Sequence, residues 1–188
     1  MTITEKEDYF VSLRKRRFSG LLYRKWWLYP RLASYLKGRV LDIGCGIGDF
    51  LQFRPNTVGV DVNVNSILWC QSHNLDARIM EPDILPFDDS GFDAAILDNV
   101  LEHIIDPEPL MLEICRVLRT NATIIIGVPG QCGFSAREEH ITYYAEQDVV
   151  KLLSKAGFSC RTIFHMPIRS AFLEKRLTQY CVYGVFDR

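Results

Sequence analysis

The sequence predicts an α/β fold: a parallel sheet with helices on both faces. Short apolar runs alternate along the chain with helix-like segments, the order that builds βαβ units. Several runs, AAIL and TIIIGV among them, are apolar at nearly every position, as strands covered on both faces are. A glycine-rich stretch, VLDIGCGIGDFL at 40–51, stands where a first buried strand turns into a helix.

The elements follow in order. Residues 1–37 are rich in aromatic and basic side chains and read as a helical extension in front of the sheet. Strands are expected at Val40–Ile43, Thr57–Val60, Ala77–Met80, Phe92–Leu97, Thr123–Val128, Ser159–His165 and Cys181–Phe186. Helices are expected at Val64–His73, Pro107–Leu118 and Ala145–Ala156, the last closed by Gly157 as a helix-ending glycine. There is no repeat, low-complexity tract or linker.

At 188 residues and 48% hydrophobic content the chain encloses one core, so a single domain is expected. A net charge of -1 supplies no global attraction to nucleic acid or anionic lipid. The six cysteines are scattered, with no C-x-x-C pair, which suits reduced thiols in a cytosolic protein. The N-terminus carries acidic residues where a signal peptide has basic ones, and no segment approaches a membrane-spanning apolar run. The expectation is a soluble, cytoplasmic protein.

Glycine this dense in an apolar run is costly in conformational entropy unless something lies against the bare backbone. In open α/β sheets that something is a nucleotide-like ligand at the turn after the first strand. A dinucleotide fingerprint, G-x-G-x-x-G, needs a third glycine at position 49, where this chain has Asp49 after Gly44, Gly46 and Gly48. The spacing therefore favours a different cofactor. Asp61, closing the second strand in VGVDVN, stands where an acidic residue accepts hydrogen bonds from ribose hydroxyls.

With these residues in place the chain resembles the class I S-adenosylmethionine-dependent methyltransferases, in particular a small-molecule branch with a D-x-G-C-G-x-G loop and an L-E-H turn. The resemblance runs from about Gly38 to Phe158. VLDIGCGIGDFL matches the cofactor loop, GVDVN the ribose-binding strand end and EPDILPFDDSGFDAAIL the adenine region with the fourth strand. DNVLEHI matches the turn after that strand, and EICRVLRTNATIIIGVP the following helix and strand. The family's fold implies a Rossmann-like, doubly wound sheet of seven strands with the last antiparallel, which CVYGVFDR fits, with residues 1–37 as a helical lid before a methyltransferase domain at 38–188.

The resemblance implies that the methionine end of the cofactor lies near Asp42, Gly44, Cys45 and Gly46, with Gly48 allowing close packing. It gives the ribose to Asp61, the adenine flank to Val62, the exocyclic amine to Asp83 and a ring nitrogen to the Ile84 amide. Asn99, with the backbone of Val100 and Leu101, lines the sulfonium end. Competing readings stand beside these: the glycines as a tight turn, Asp83 as a turn cap between Pro82 and Pro86, and Cys45 as a small space-filler.

Methyl transfer asks a protein mainly to align the acceptor and exclude water, and a base is needed where a hydroxyl must lose its proton. His103 and His140 are the base candidates near ligand-side strand ends, whereas His73 and His165 read as structural. Some quinone-pathway O-methyltransferases of the family bind magnesium through E-x-x-E-H. Here the pattern is N-x-x-E-H, with Asn99 in place of a carboxylate, so no metal is expected and Glu102 and His103 are assigned hydrogen bonds at a helix start.

REEHITYYAEQDVVKLLSKAGF resembles the stretch after the family's fifth strand, where a histidine and an aromatic residue border the acceptor pocket; His140, Tyr143 and Tyr144 take those places. The candidate catalytic residues are thus His103, His140 and Tyr143. In LRKRRFSGLLYRKWWLYP, basic and aromatic side chains interleave. As a lid this segment suits an acidic, phosphorylated or sugar-containing acceptor, and residues 13–29 also suit contact with a membrane carrying a lipid-linked substrate; a plain solvated helix face is the competing reading. The sequence thus points to methyl transfer from S-adenosylmethionine, giving S-adenosylhomocysteine, onto an oxygen of a small-molecule or glycan acceptor. The alternatives are a non-catalytic cofactor-binding scaffold and, less supported, a nicotinamide-dependent oxidoreductase. No nucleic-acid acceptor is expected, since DNVL replaces the D/N-P-P-Y/F signature.

Overall fold

In a computed structural model of the chain, Phe10, Val11 and residues 18–188 are described. Arg14, Lys15, Arg16 and Arg17 of the basic stretch lie outside the described residues. A single seven-stranded sheet organises the molecule: β1 Val40–Ile43, β2 Thr57–Asp61, β3 Ala77–Ile79, β4 Phe92–Asp98, β5 Leu118–Pro129, β6 Ser159–Met166 and β7 Cys181–Asp187. Their order across the sheet is β3-β2-β1-β4-β5-β7-β6. Neighbours from β3 through β5 pair parallel, and β7 pairs antiparallel with both β5 and β6. The seven strands and the reversed last one match the sequence expectation.

Each run that is apolar at every position divides its side chains between two layers. Leu41 and Ile43, Ala95 and Leu97, and Ile124 and Ile126 point into one core. Val40, Ala94, Ile96 and Ile125 point into the other. A strand sandwiched this way has no polar face to alternate with, which is why AAIL and TIIIGV read as they do.

The helices are α1 Phe18–Tyr23, α2 Tyr29–Tyr35, α3 Asp49–Phe53, α4 Val64–Ser72, α5 Glu108–Val117, α6 Gln131–Ser135, α7 Glu146–Lys155 and α8 Ala171–Glu174. Between α1 and α2 the chain widens into a π-helical turn at Arg24–Leu28, a distortion that often marks functional segments. Asn63 caps α4 by accepting from the amides of Asn65 and Ser66. Gly157 ends α7 at φ +88°.

The described part of the extension contributes to the core. Leu28, Tyr29, Leu32 and Leu36 are buried in the second core layer with β1, β4, β5 and β7. No helix among the described residues is long and apolar enough to cross a membrane.

Candidate active site

The strand order reverses between β1 and β4, and at such a switch point the connections leave in opposite directions and open a crevice at the carboxyl ends. A cavity of about 490 Å³ occupies this place. Its wall starts at the glycine turn. The amides of Gly44 and Cys45 both donate to the Val60 carbonyl, at 2.8 and 3.0 Å, and the Gly46 amide donates to Asp61 Oδ2 at 2.8 Å. Asp61 also accepts from the Asn63 amide at 2.8 Å through Oδ1. The β2 carboxylate thus anchors the glycine turn. A carboxylate accepts about four hydrogen bonds, so these contacts are compatible with a ribose.

Gly44 sits at φ +76°, and a Cβ there would lie 2.5 Å from Val100 Cγ2. At Gly48, φ +77°, a Cβ would come within 2.6 Å of Leu75. Both positions require glycine for backbone and space, because the protein's own side chains fill the place of a Cβ; Gly44 lines the cavity and Gly48 does not. Asp42 lines the cavity, and its carboxyl is held well above the usual range by burial and by the nearby Asp98 and Asp61. A cationic ligand fits such a wall. Cys45 also lines it, its thiol pushed up by a hydrogen bond with Cys70 and by burial, which suits the small space-filler reading.

Of the remaining sequence candidates, Asn99 lines the cavity at φ +60°, and its amide donates to Asp98 Oδ1 at 2.9 Å. Val100 packs beside Gly44 and Leu101 is fully buried, and neither lines the cavity. Val62, Asp83 and Ile84 are not among the cavity-lining residues; they follow β2 and β3 on the other flank of β1. Asp83 occupies the φ +61° position of a tight turn in which the Ile84 amide donates to the Glu81 carbonyl at 3.2 Å. That geometry matches the turn reading of Asp83, and the Ile84 amide has a protein acceptor.

The opposite wall carries His103 and His140, with ring centroids 4.9 Å apart. Nδ1 of His103 lies 3.1 Å from the Glu139 carbonyl and Nδ1 of His140 lies 3.0 Å from that of Phe134. A carbonyl only accepts, so both Nδ1 atoms carry the proton and both Nε2 atoms are left as acceptors. Burial lowers the pKa of each imidazole, which keeps it neutral. Tyr143 departs from the pocket-lining expectation: it is exposed, lies edge-on to Phe134, and is not among the lining residues. Tyr144 packs against the main core instead.

Glu102 differs too. It is fully buried, neither carboxylate oxygen has a hydrogen-bond partner, and burial pushes its pKa up to about 8, so the expected helix-start bonds are not made by its carboxylate. Sequence reasoning also missed Asp98, which accepts from Tyr183 at 2.7 Å and pairs with Arg24 at 3.3 Å. An aspartate ending the strand before the L-E-H turn was the available signal.

A doubly wound sheet with β7 inserted in reverse, a glycine cradle after β1 and an acidic end to β2 define a class I S-adenosylmethionine-dependent methyltransferase. The chain belongs to this class: a methyltransferase-domain family matches residues 14–163. It is similar to an uncharacterized protein of Methanocaldococcus jannaschii, 28% identical over 68% of this chain and 70% of the relative. It is also similar to a probable S-adenosylmethionine-dependent methyltransferase of Mycolicibacterium smegmatis, 26% identical over 80% of this chain and 67% of the relative. A probable tRNA methyltransferase 9B of Bos taurus is 29% identical over 77% of this chain, which spans only 32% of that protein. Among solved structures, an S-adenosylmethionine-dependent methyltransferase of Thermotoga maritima superposes with a TM-score of 0.77 over 98% of this chain and 99% of its own, at 17% identity. The cofactor is accordingly S-adenosylmethionine and the product S-adenosylhomocysteine.

Proposed function

We propose that the protein methylates an oxygen of a small-molecule or glycan acceptor, and that the acceptor hydroxyl loses its proton at the His103 and His140 wall. The observation carrying this reading is the pair of imidazoles whose Nδ1 atoms are bonded to carbonyls, leaving two Nε2 acceptors at a cavity that also contains Gly44 and Asn99. The bound sulfonium supplies an already activated methyl group. Asp42 offers negative charge to that cationic end, Gly44 lets it approach the backbone, and Asn99 borders it. On the acceptor side half-buried Tyr23 borders the cavity, and Arg24, paired with Asp98, carries the cation nearest to an anionic group. The extension that carries Arg24 contributes to the cavity wall, a position from which it would limit water entry.

Tritiated methyl transfer into panels of phenols, sugars, amines and tRNA tests the reading; tRNA is included because one relative bears that name. The expected result is label in a hydroxyl-bearing acceptor, with His140→Gln lowering kcat by about 10²- to 10⁴-fold while S-adenosylhomocysteine affinity is kept. Label only in amines or tRNA would overturn it. Cofactor affinity without transfer to any acceptor would favour the non-catalytic scaffold.

A further inference from the structure

Glu102 poses a problem that methyl transfer does not solve. A fully buried carboxyl with both oxygens unpartnered is expensive, and such groups ordinarily find a donor or a cation. His103 and His140 stand nearest, with the charge of Arg137 acting on all three from the cavity wall: one ligand-type atom from each of the three residues lies within 4.8 Å of the others, and His140 Nε2 is 3.9 Å from Glu102 Oε1. Neither histidine offers Glu102 a proton in its neutral form, because each Nδ1–H is given to a carbonyl. With Glu102 ionised, three acceptor atoms converge with no donor among them; the protonated carboxyl is the competing way to complete the group, and a cation would displace that proton. A positive centre between its members would satisfy all three at once.

We infer that Glu102, His103 and His140 form a binding site for a divalent transition metal of the zinc class. The donor set fits: two neutral imidazole nitrogens and one carboxylate are a recurrent three-ligand set for catalytic zinc, whose fourth position is open. The carbonyls of Glu139 and Phe134 supply the outer support that fixes each ring and its tautomer, as carbonyls behind metal-ligating histidines do. His103 and His140 line the cavity whereas Glu102 lies behind them, so the open position faces the acceptor space. Metal–ligand distances of about 2.0 to 2.2 Å require the three atoms to draw together from their present spacing, a movement within reach of side-chain torsions.

The site differs from a magnesium E-x-x-E-H arrangement. Asn99 takes no part: its side-chain nitrogen is bonded to Asp98 and its oxygen accepts from the Cys181 thiol at 3.5 Å. His140 arrives from the loop after α6, and nitrogen-rich ligation selects a softer cation than magnesium. The site rests on its own geometry and deepens the proposed function: with metal bound both Nε2 atoms are ligands, so an acceptor hydroxyl at the open position would be acidified by the cation and lose its proton to solvent, the imidazoles acting as bases only in the metal-free protein.

The test uses the full chain stripped of metal by chelator and dialysed against limiting Zn²⁺ or Co²⁺. We expect one equivalent retained, and a Co²⁺ spectrum of weak visible bands without the strong near-ultraviolet absorption of thiolate ligation. Glu102→Gln and His140→Gln, checked for folding by circular dichroism, should each weaken binding by more than about a hundredfold, beyond the usual loss on removing an outer-shell partner alone. His73→Gln, at the exposed end of α4, should leave it unchanged. Absence of stoichiometric metal in folded protein, thiolate-type Co²⁺ absorption, or equal affinity in Glu102→Gln would overturn the site. Titrating the same metal-free protein with S-adenosylhomocysteine separates the two readings: binding heat without metal retention sinks the metal site and leaves methyl transfer standing.

Discussion

Two glycines with the same backbone hand separate strain from space. Gly44 and Gly157 lie at φ +76° and +88°, but a Cβ at Gly157 would meet no atom within 4 Å, whereas one at Gly44 would strike Val100. Gly157→Ala should therefore cost about 1 kcal/mol, the left-handed penalty alone. Gly44→Ala should cost more and abolish S-adenosylhomocysteine binding, and adding Val100→Ala should restore part of the stability; denaturant midpoints and calorimetric titration read both effects. Unchanged affinity in Gly44→Ala would remove the cradle from the cofactor site. Asp42 carries the pH prediction. Its folded pKa is raised above the ordinary 3.8, so the folded state keeps a proton that the unfolded chain has released. This stabilising contribution is complete below the unfolded pKa and is lost as pH rises through the folded one. A cationic cofactor favours the ionised carboxylate, so binding should release a proton and strengthen as pH rises. Calorimetry in buffers of different ionisation enthalpy should detect that release in the wild type and lose it in Asp42→Asn. The glycines and Asp61 were legible because loop and strand end are local signals. The meeting of Glu102 with His140 was not, since it depends on how the loop after α6 folds back: the Ile141 and Thr142 amides donate to the Glu102 carbonyl at 2.7 and 3.1 Å.

At the scale of elements, the strands were legible because burial on both faces removes polar residues from their interiors, and their ends carry the chemistry. The junction of β2 with α4 shows how closely fold and function share atoms there. Asn63 uses its side chain to cap α4 and its backbone amide to hold Asp61. Asn63→Ala removes the first and keeps the second, so it should lower stability by about 1 kcal/mol with little change in cofactor affinity. Asp61→Asn reverses the pattern. It replaces the charged acceptor that holds the Gly46 amide, and hydrogen bonds to charged groups contribute about 1.5 to 3 kcal/mol. S-adenosylhomocysteine affinity should fall by about 10- to 100-fold, at about 1.4 kcal/mol per tenfold, while α4 keeps its cap. Comparable affinity losses in the two variants would mean that Asp61 acts only through the fold of this junction.

For the whole molecule, the extension decides whether residues 38–188 form a domain of their own. Aromatic and basic composition marks residues 1–37 as a helical cover, and composition reports what a segment contains and not which sheet face it lies on. In the folded chain Leu32 has no exposed surface, and Leu28, Tyr29 and Leu36 are 3%, 5% and 4% exposed against the face made by Val40, Ile96 and Ile125. Arg24 from the same segment pairs with Asp98 at the end of β4, and Tyr23 and Leu28 beside it also line the cavity. Burying a large apolar side chain contributes roughly 1.5 to 3 kcal/mol, and the loss of such a group of side chains rivals the 5 to 15 kcal/mol by which a typical domain is stable. Removal of residues 1–37 should therefore leave a chain that aggregates or melts without cooperativity and gives no heat with S-adenosylhomocysteine. Leu32→Ala in the full chain should lower stability by about 2 to 5 kcal/mol while the protein still folds. A separable lid requires the opposite: a truncated protein that melts cooperatively and binds the cofactor product, with only acceptor methylation lost. Thermal denaturation and calorimetry on the two variants distinguish these cases, since a cover can be lifted from a pocket without unfolding the sheet but a core layer cannot.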